Sequence, residues 1–208
     1  MKRFSPFRRR KAQHNRGQSM LEFALVLPVL LILLSGLVEI GFLLVDYLAL
    51  EDATRNAARF ASDGYYYVRD NDTDCTTTRD FFRQTACDAL MELSQERPTI
   101  TLDANSDDIV VSAVAILQGS GVIKRFPQPN GWWSYYHHFG SRVTDEQINN
   151  ALDPNAPNTG MVVVETYYHY HQKLKLPWIE AFLPDPILLH VYAVMPLVSA
   201  EPTPTPAP

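Results

Sequence analysis

The sequence predicts an α+β fold, with a long N-terminal transmembrane helix continuing into a head that adds a second helix and an antiparallel sheet. Three observations carry this prediction. Residues 23–45, FALVLPVLLILLSGLVEIGFLLV, form a run in which only Ser35 and Glu39 bear polar side chains. A bilayer core about 30 Å thick needs about 20 apolar residues at ~1.5 Å each, so this run is long enough to cross one. Next, the segment YLALEDATRNAARFASDG follows without a break and is strongly helical. Finally, β signals dominate beyond Pro98, where β-branched and aromatic residues alternate. Helices first and strands afterwards make an α+β arrangement with a helix laid on a sheet.

The flanks orient the helix. Lys2, Arg3, Arg8, Arg9, Arg10, Lys11 and Arg16 precede the run, with no acidic residue before Glu22. Asp46, Glu51 and Asp52 follow it, and the remainder of the chain is strongly acidic. Basic residues stay on the cytoplasmic side, so the N-terminus is expected inside and the head outside. A basic arm also fits a nucleic-acid patch; beside a spanning helix, a topogenic and lipid-contacting role explains it better, and no nucleic-acid partner is expected. A cleaved secretory signal has a shorter apolar region ending in small residues. This run is longer and passes into helix, which favours a retained signal-anchor in the cytoplasmic membrane.

Four regions follow from the pattern: a basic arm over 1–18, the membrane helix and its amphipathic extension over 19–62, a head over 63–200, and a Pro/Thr tail over 201–208. The helix is expected to start near Ser19, where Ser19 and Glu22 have capping-box spacing. Pro28 removes one backbone bond, which membrane helices tolerate. Leu50, Ala53, Ala57 and Ala61 share one face of the extension, and Gly64 is a stop signal. A second helix is expected over 80–96, capped by Thr78 or Asp80 and ended by Arg97-Pro98. Thr99–Asp103 and Ile109–Leu117 read as a hairpin across Ala104–Asp108. Met161–Gln172 is a long alternating strand, with Val162, Val164, Tyr168 and Tyr170 on one face and Glu165, His169 and His171 on the other. Ile187–Leu197 is the last strand, after a Pro-rich loop over 173–186. Residues 119–160 read as a Gly/Pro/Asn-rich insertion loop with a short helix capped at Thr144. A helix half in membrane and half against a globular head is also the layout of pilins.

Few residues signal chemistry. Cys75 and Cys87 fall on the expected outer side, where a pair is usually oxidised; a disulfide closing that loop adds ~2–3 kcal/mol. Two free buried thiols are the alternative. His169 and His171 form an H-x-H pair beside Glu165, a pattern found both in metal sites and on ordinary polar faces. No complete ligand set is visible, and no cofactor is expected. The aromatic cluster Trp132, Trp133, Tyr135, Tyr136, His137, His138, Phe139 fits a contact surface or a plug onto the head, and packing is the better account. No GxSxG, P-loop or HExxH motif occurs, and the chain is not expected to be an enzyme.

The most specific signal lies at the start of the helix. A prepilin peptidase site needs a Gly just before the cut and a Glu at the fifth mature position. Gly17 and Glu22 have that spacing, with cleavage leaving Gln18 first. Gly lets an extended backbone enter a protease cleft, and a Glu near the helix start can pair with a neighbouring subunit's new amino terminus. Glu39 lies 17 residues further on, or ~25 Å, near the opposite interface. It fits either a hydrated interfacial acid or a contact with another membrane helix, helped by Gly36 and Gly41.

The segment RGQSMLEFALVLPVLLILLSGLVEIGFLLVDYLALEDATRNAARFAS resembles the N-terminal signature of the TadE-like family, minor pseudopilins of the tight-adherence (Flp-type) pilus system. The shared features are Arg16-Gly17-Gln18, Glu22-Phe23, Pro28, Glu39-Ile40-Gly41 and Ala57-Ala58-Arg59. VVVETYYHYH, Pro177 and the closing AVMPL are similar but weaker; the insertion and the PTPTPAP tail depart from the pattern. The resemblance implies a pilin-like head and, as partners, a prepilin peptidase, other pseudopilins, the major Flp-type pilin and an assembly platform. A membrane-tethered extracytoplasmic binding module is the alternative, with the aromatic insertion holding a ligand. A tethered hydrolase would need converging His and acid groups in the head.

Overall fold

The computed structural model describes residues 16–64, 74–153, 155 and 157–200. The N-terminal part of the basic arm, the stretch 65–73 and the Pro/Thr tail lie outside the described residues.

Helix α1 (Arg16–Asp63) is continuous through Pro28 and ends at Gly64, whose amide bonds the Ala61 carbonyl. Its 48 residues make a rod about 72 Å long at 1.5 Å each. It begins three residues earlier than the sequence indicates. Ser19 is therefore inside the first turn rather than at a cap, and Gly17 and Gln18 are helical. The apolar run is exposed on all sides from Met20 to Leu34, whereas Leu50, Ala53, Ala57, Ala58 and Ala61 are buried. This is the division expected of a rod with one end for lipid and one end for a core. Small residues on the head-facing stripe let the sheet approach closely.

Helix α2 (Phe81–Glu96) starts at Asp80, which caps it by accepting the Arg83 amide at 2.9 Å, and stops at Arg97-Pro98 as expected. A disulfide joins Cys75 to Cys87 and ties the segment before α2 to its second turn.

The sheet is antiparallel throughout: β1 (Asp108–Leu117), β2 (Gly121–Phe126), β3 (Trp133–Ser134), β4 (Thr159–Tyr170) and β5 (Ile187–Pro196), in the order β2-β1-β4-β5, with β3 beside β2's end of the same β1 edge. Two strands correct the sequence reading. Thr99–Asp103 is not a strand, because both edges of β1 are taken, by β4 on one side and by β2 and β3 on the other. Its Ile100 is buried in the core instead, and the turn after it is closed by the Asp107 carboxylate accepting the Asp103 amide at 2.8 Å. The true hairpin partner of β1 lies in residues 119–160, so this stretch is more than an insertion loop. It supplies β2, β3 and the helix α3 (Asp145–Ala151), which Thr144 and Gln147 close with the expected capping box.

Helices α1 and α2 cover one face of the sheet. Ile109, Val111 and Ala113 of β1 with Val162 and Val164 of β4 pack against Ala57, Ala58, Ala61 and Phe82. Tyr168, Tyr170, Leu189 and Val191 meet Ala49, Leu50 and Ala53. At the centre of this contact the hydroxyls of Thr54 and Thr166 hydrogen-bond at 2.7 Å. The opposite face is covered too: Val114, Ile116 and Val163 pack under Val143 and Ile148. Of the polar face read from the sequence as Glu165, His169 and His171, Glu165 is therefore fully buried between sheet and cover, while His171 stays exposed.

Candidate functional site

The functionally informative region is the junction where the head meets α1. Two acids of α1, Glu39 and Asp46, are buried against the head, and the head side supplies partners for both. Glu39 is 1% exposed. Its carboxylate accepts the Tyr170 hydroxyl at 2.6 Å and the amides of Lys173 and Leu174 at 2.8 and 2.9 Å. One turn earlier, Ser35 Oγ accepts the indole N–H of Trp178 at 3.0 Å while donating to the Ile32 carbonyl. Two turns later, Asp46 accepts from Arg97 at 3.1 Å, and the Lys173 ammonium stands 3.2 Å from its other oxygen.

Both sequence readings of Glu39 looked outside the chain, to water or to another helix. The structure places its partners in the chain's own head. A carboxylate taking three donors replaces its hydration with fixed dipoles, which offsets the cost of burying it. The Tyr170 hydroxyl is correspondingly held in its protonated form, pushed up by burial and by the Glu39 bond. Glu22, by contrast, lies in the exposed apolar stretch far from the head.

Opposite the head, α1 stays bare. Leu34, Leu37, Leu44 and Leu48 are exposed and follow one stripe, half a turn away from Glu39, Asp46 and Leu50. Gly41 lies on that stripe, and a Cβ there would meet nothing within 4 Å. The stripe ends where Asp52, Arg55 and Arg59 take over the same side.

A family model described as TadE-like protein matches residues 17–59. The N-terminal helix is TadE-like. The TadE-like match runs from Gly17 to one turn short of the end of α1, so it covers the apolar band, Glu39 and the buried Ala-rich stripe. The likeness is to α1 alone, and α1 is the one helix among the described residues that is long and apolar enough to cross a membrane. No curated protein and no solved structure matches the chain.

Other sequence candidates resolve into scaffold. Asp108, buried at the start of β1, accepts the Ser134 hydroxyl at 2.5 Å and the amides of Tyr136, His138 and Phe139 at 2.8–2.9 Å. This clamp folds the aromatic cluster onto the chain's own head. Trp133 stacks on Phe82, and the Arg83 guanidinium lies over Trp133 and Tyr135. Packing, the favoured account of the cluster, is what the structure shows. His169 and His171 diverge: the first pairs with Asp107 at 2.9 Å and the second with Asp185 at 3.1 Å. Among the described residues, no group of three His, Cys, Asp or Glu side chains could hold a metal ion.

Glu165 gathers the densest polar network. Ser141, the Arg142 amide, Tyr167 and His190 all bond its carboxylate. Burial pushes the carboxyl up, and the bonds from His190, Ser141, Arg142 and Tyr167 more than reverse this, leaving it below the usual range. A nucleophilic triad needs the hydroxyl on the imidazole and the imidazole on the acid. Here Ser141 and His190 each bond the acid itself, which joins the cover segment to β4 and β5. Tyr167 is stacked between Phe139 and His190 in the same layer.

Proposed function

We propose that the chain is a single-pass membrane pseudopilin that takes part in assembling a tight-adherence, Flp-type pilus by packing its helix against other pilin-like subunits. The observation that carries this is the bare stripe Leu34, Leu37, Gly41, Leu44, Leu48 on the side of α1 opposite the head. The head satisfies the helix's acids from one side and leaves the other side apolar, with a glycine that admits a close neighbour. The α1 rod is thus available for lateral contact along its length while the head remains attached. The N-terminus is inside and the head extracytoplasmic, by the charge bias of the flanks.

In this reading Gly17 and Gln18 flank the cut made by a prepilin peptidase. The new amine at Gln18 would lie one helical turn from Glu22, on the same face. Because Gly17 and Gln18 are helical here, the peptidase has to unwind the first turn before cutting. The other partners are further pseudopilins, the major Flp-type pilin and the assembly platform. Glu22 acts in subunit packing, and Glu39 keeps the head seated. The rival reading, a tethered binding module, relied on the aromatic cluster as a ligand surface, and the Asp108 clamp ties the backbone of that cluster to the head's own sheet.

Photocrosslinkers placed at Leu37 and Leu44 in cells carrying the whole pilus system test the proposal. Adducts with pilin-like subunits are expected from both positions, and none from buried Leu50. Adducts only with lipid, in cells that assemble pili, would remove the packing role. Sequencing of the mature amino terminus tests the cut separately.

A further inference from the structure

The segment between β4 and β5 has a role that helix packing does not use. It contains the short helix α4 (Pro177–Glu180), and its Trp178 and Phe182 are exposed, Phe182 to 83%. A single exposed ring is ordinary, but Trp178 is bonded to the exposed apolar stretch of α1 and Phe182 follows one turn later, which makes a patch rather than a lone side chain. The segment is not loose. Ile179 is buried, its carbonyl accepts the amides of Phe182 and Leu183, and the buried Gln172 side chain holds the Leu183 carbonyl at 3.0 Å. A built staple therefore presents the two aromatic rings.

Its height along α1 is fixed by the Trp178–Ser35 hydrogen bond and, one turn on, by Glu39 with Lys173 and Leu174. Below that level the helix is exposed all round and, apart from Ser19 and Glu22, apolar. From Ser19 to Val38 it measures about 30 Å, the thickness of a bilayer core. The bilayer's outer boundary thus falls at Ser35–Glu39, rather than at the end of the apolar run at Val45. Trp178 and Phe182 then lie at the headgroup level, where an indole can keep its N–H bonded and its ring among acyl chains. Lys175, exposed on the same stretch, can reach the phosphate layer.

We propose that residues 174–183 form a second membrane contact, an interfacial foot that rests the head on the lipid surface and sets the depth of α1. The occupant is lipid, because the foot is continuous with the exposed apolar band of α1 and is bonded to it. The proposal depends on α1 crossing the bilayer and not on the pilus reading, so a test with this chain alone separates the two.

The test uses the full chain in phosphatidylcholine vesicles. The chain has three Trp residues, so Trp132→Phe with Trp133→Phe leaves Trp178 as the reporter. Its emission should be blue-shifted, lose its larger part to lipids brominated near the headgroup, and resist iodide. Quenching by iodide with no loss to brominated lipid overturns the proposal; so does strongest quenching by bromines near the acyl-chain ends. Since Trp133 packs in the core, a second measurement keeps the unaltered sequence. Diazirine-bearing lipids are photolysed and adducts mapped by mass spectrometry. Adducts are expected on the 174–183 peptide as well as on α1 up to Val38. Adducts on α1 alone overturn it.

Discussion

Glu39 of the helix and Tyr170, the last residue of β4, are 131 positions apart in sequence, and their side chains hydrogen-bond at 2.6 Å. This bond, with the two amides beside it, anchors the head to the rod where the apolar band ends. It makes the rod and the head a single mechanical unit.

Tyr170→Phe leaves Glu39 with its two amide donors and should cost about 1–2 kcal/mol of head stability. Glu39→Ala removes the acceptor for three buried donors and should cost more, about 3–5 kcal/mol. Thermal unfolding in detergent, followed by the near-ultraviolet signal of the head, checks the order. Equal effects would mean that the amides contribute little.

Asp108→Ala should release the stretch 134–139, since one carboxylate holds a hydroxyl and three amides there. Hydrogen exchange at Tyr136, His138 and Phe139 should rise by orders of magnitude, while α2 remains protected. Unchanged protection at these amides would show that Trp133 stacking alone holds the cluster.

Glu165 should make the head acid-sensitive. Its carboxyl lies below the ordinary 4.5, so its contribution is present above that value and is lost as pH falls through the lower, folded-state value. Glu165→Gln should destabilise the head by about 1–3 kcal/mol at neutral pH, and the gap to the natural sequence should close in acid. A gap that is constant from pH 3 to 7 would contradict the assignment.

Asp88 works in the opposite direction. Burial, with a smaller push from Glu92, raises its carboxyl to about 6. The unfolded chain gives up that proton near 3.8, so stability falls as pH rises from there to about 6 and then levels off. Asp88→Asn should therefore stabilise the head above pH 6, by about 1 kcal/mol once solvent screening of this half-exposed group is allowed for. Denaturant midpoints at pH 4 and pH 7 check it: the variant should gain only at the higher pH.

The sequence by itself determined what short-range periodicity encodes. The apolar run, the buried Leu50–Ala53–Ala57–Ala61 stripe, the Asp80 and Thr144 caps and the alternation of β4 and β5 are each set by neighbours within a few positions, and each is where the pattern put it. The same local logic erred at Thr99–Asp103, whose alternation is strand-like, because strand identity also needs a free edge to pair with, and β1 has none left. It passed over β2 and β3 because strands of six and two residues between Gly and Pro turns carry little alternation of their own.

Only the tertiary structure decided the partners of the charged groups. Nothing near Glu39 in sequence points to Tyr170, and nothing near Asp108 points to the amides of 136–139. An isolated carboxylate in a pattern marks a place that must be satisfied, without saying by what. The answer came from topology: folding β4 onto α1 lowers residues 170–178 to the rim of the apolar band, and residues 132–148 close over the far face of the sheet. A buried charge takes the donors that the chain path brings within about 3 Å of it, and that path is a property of the whole fold.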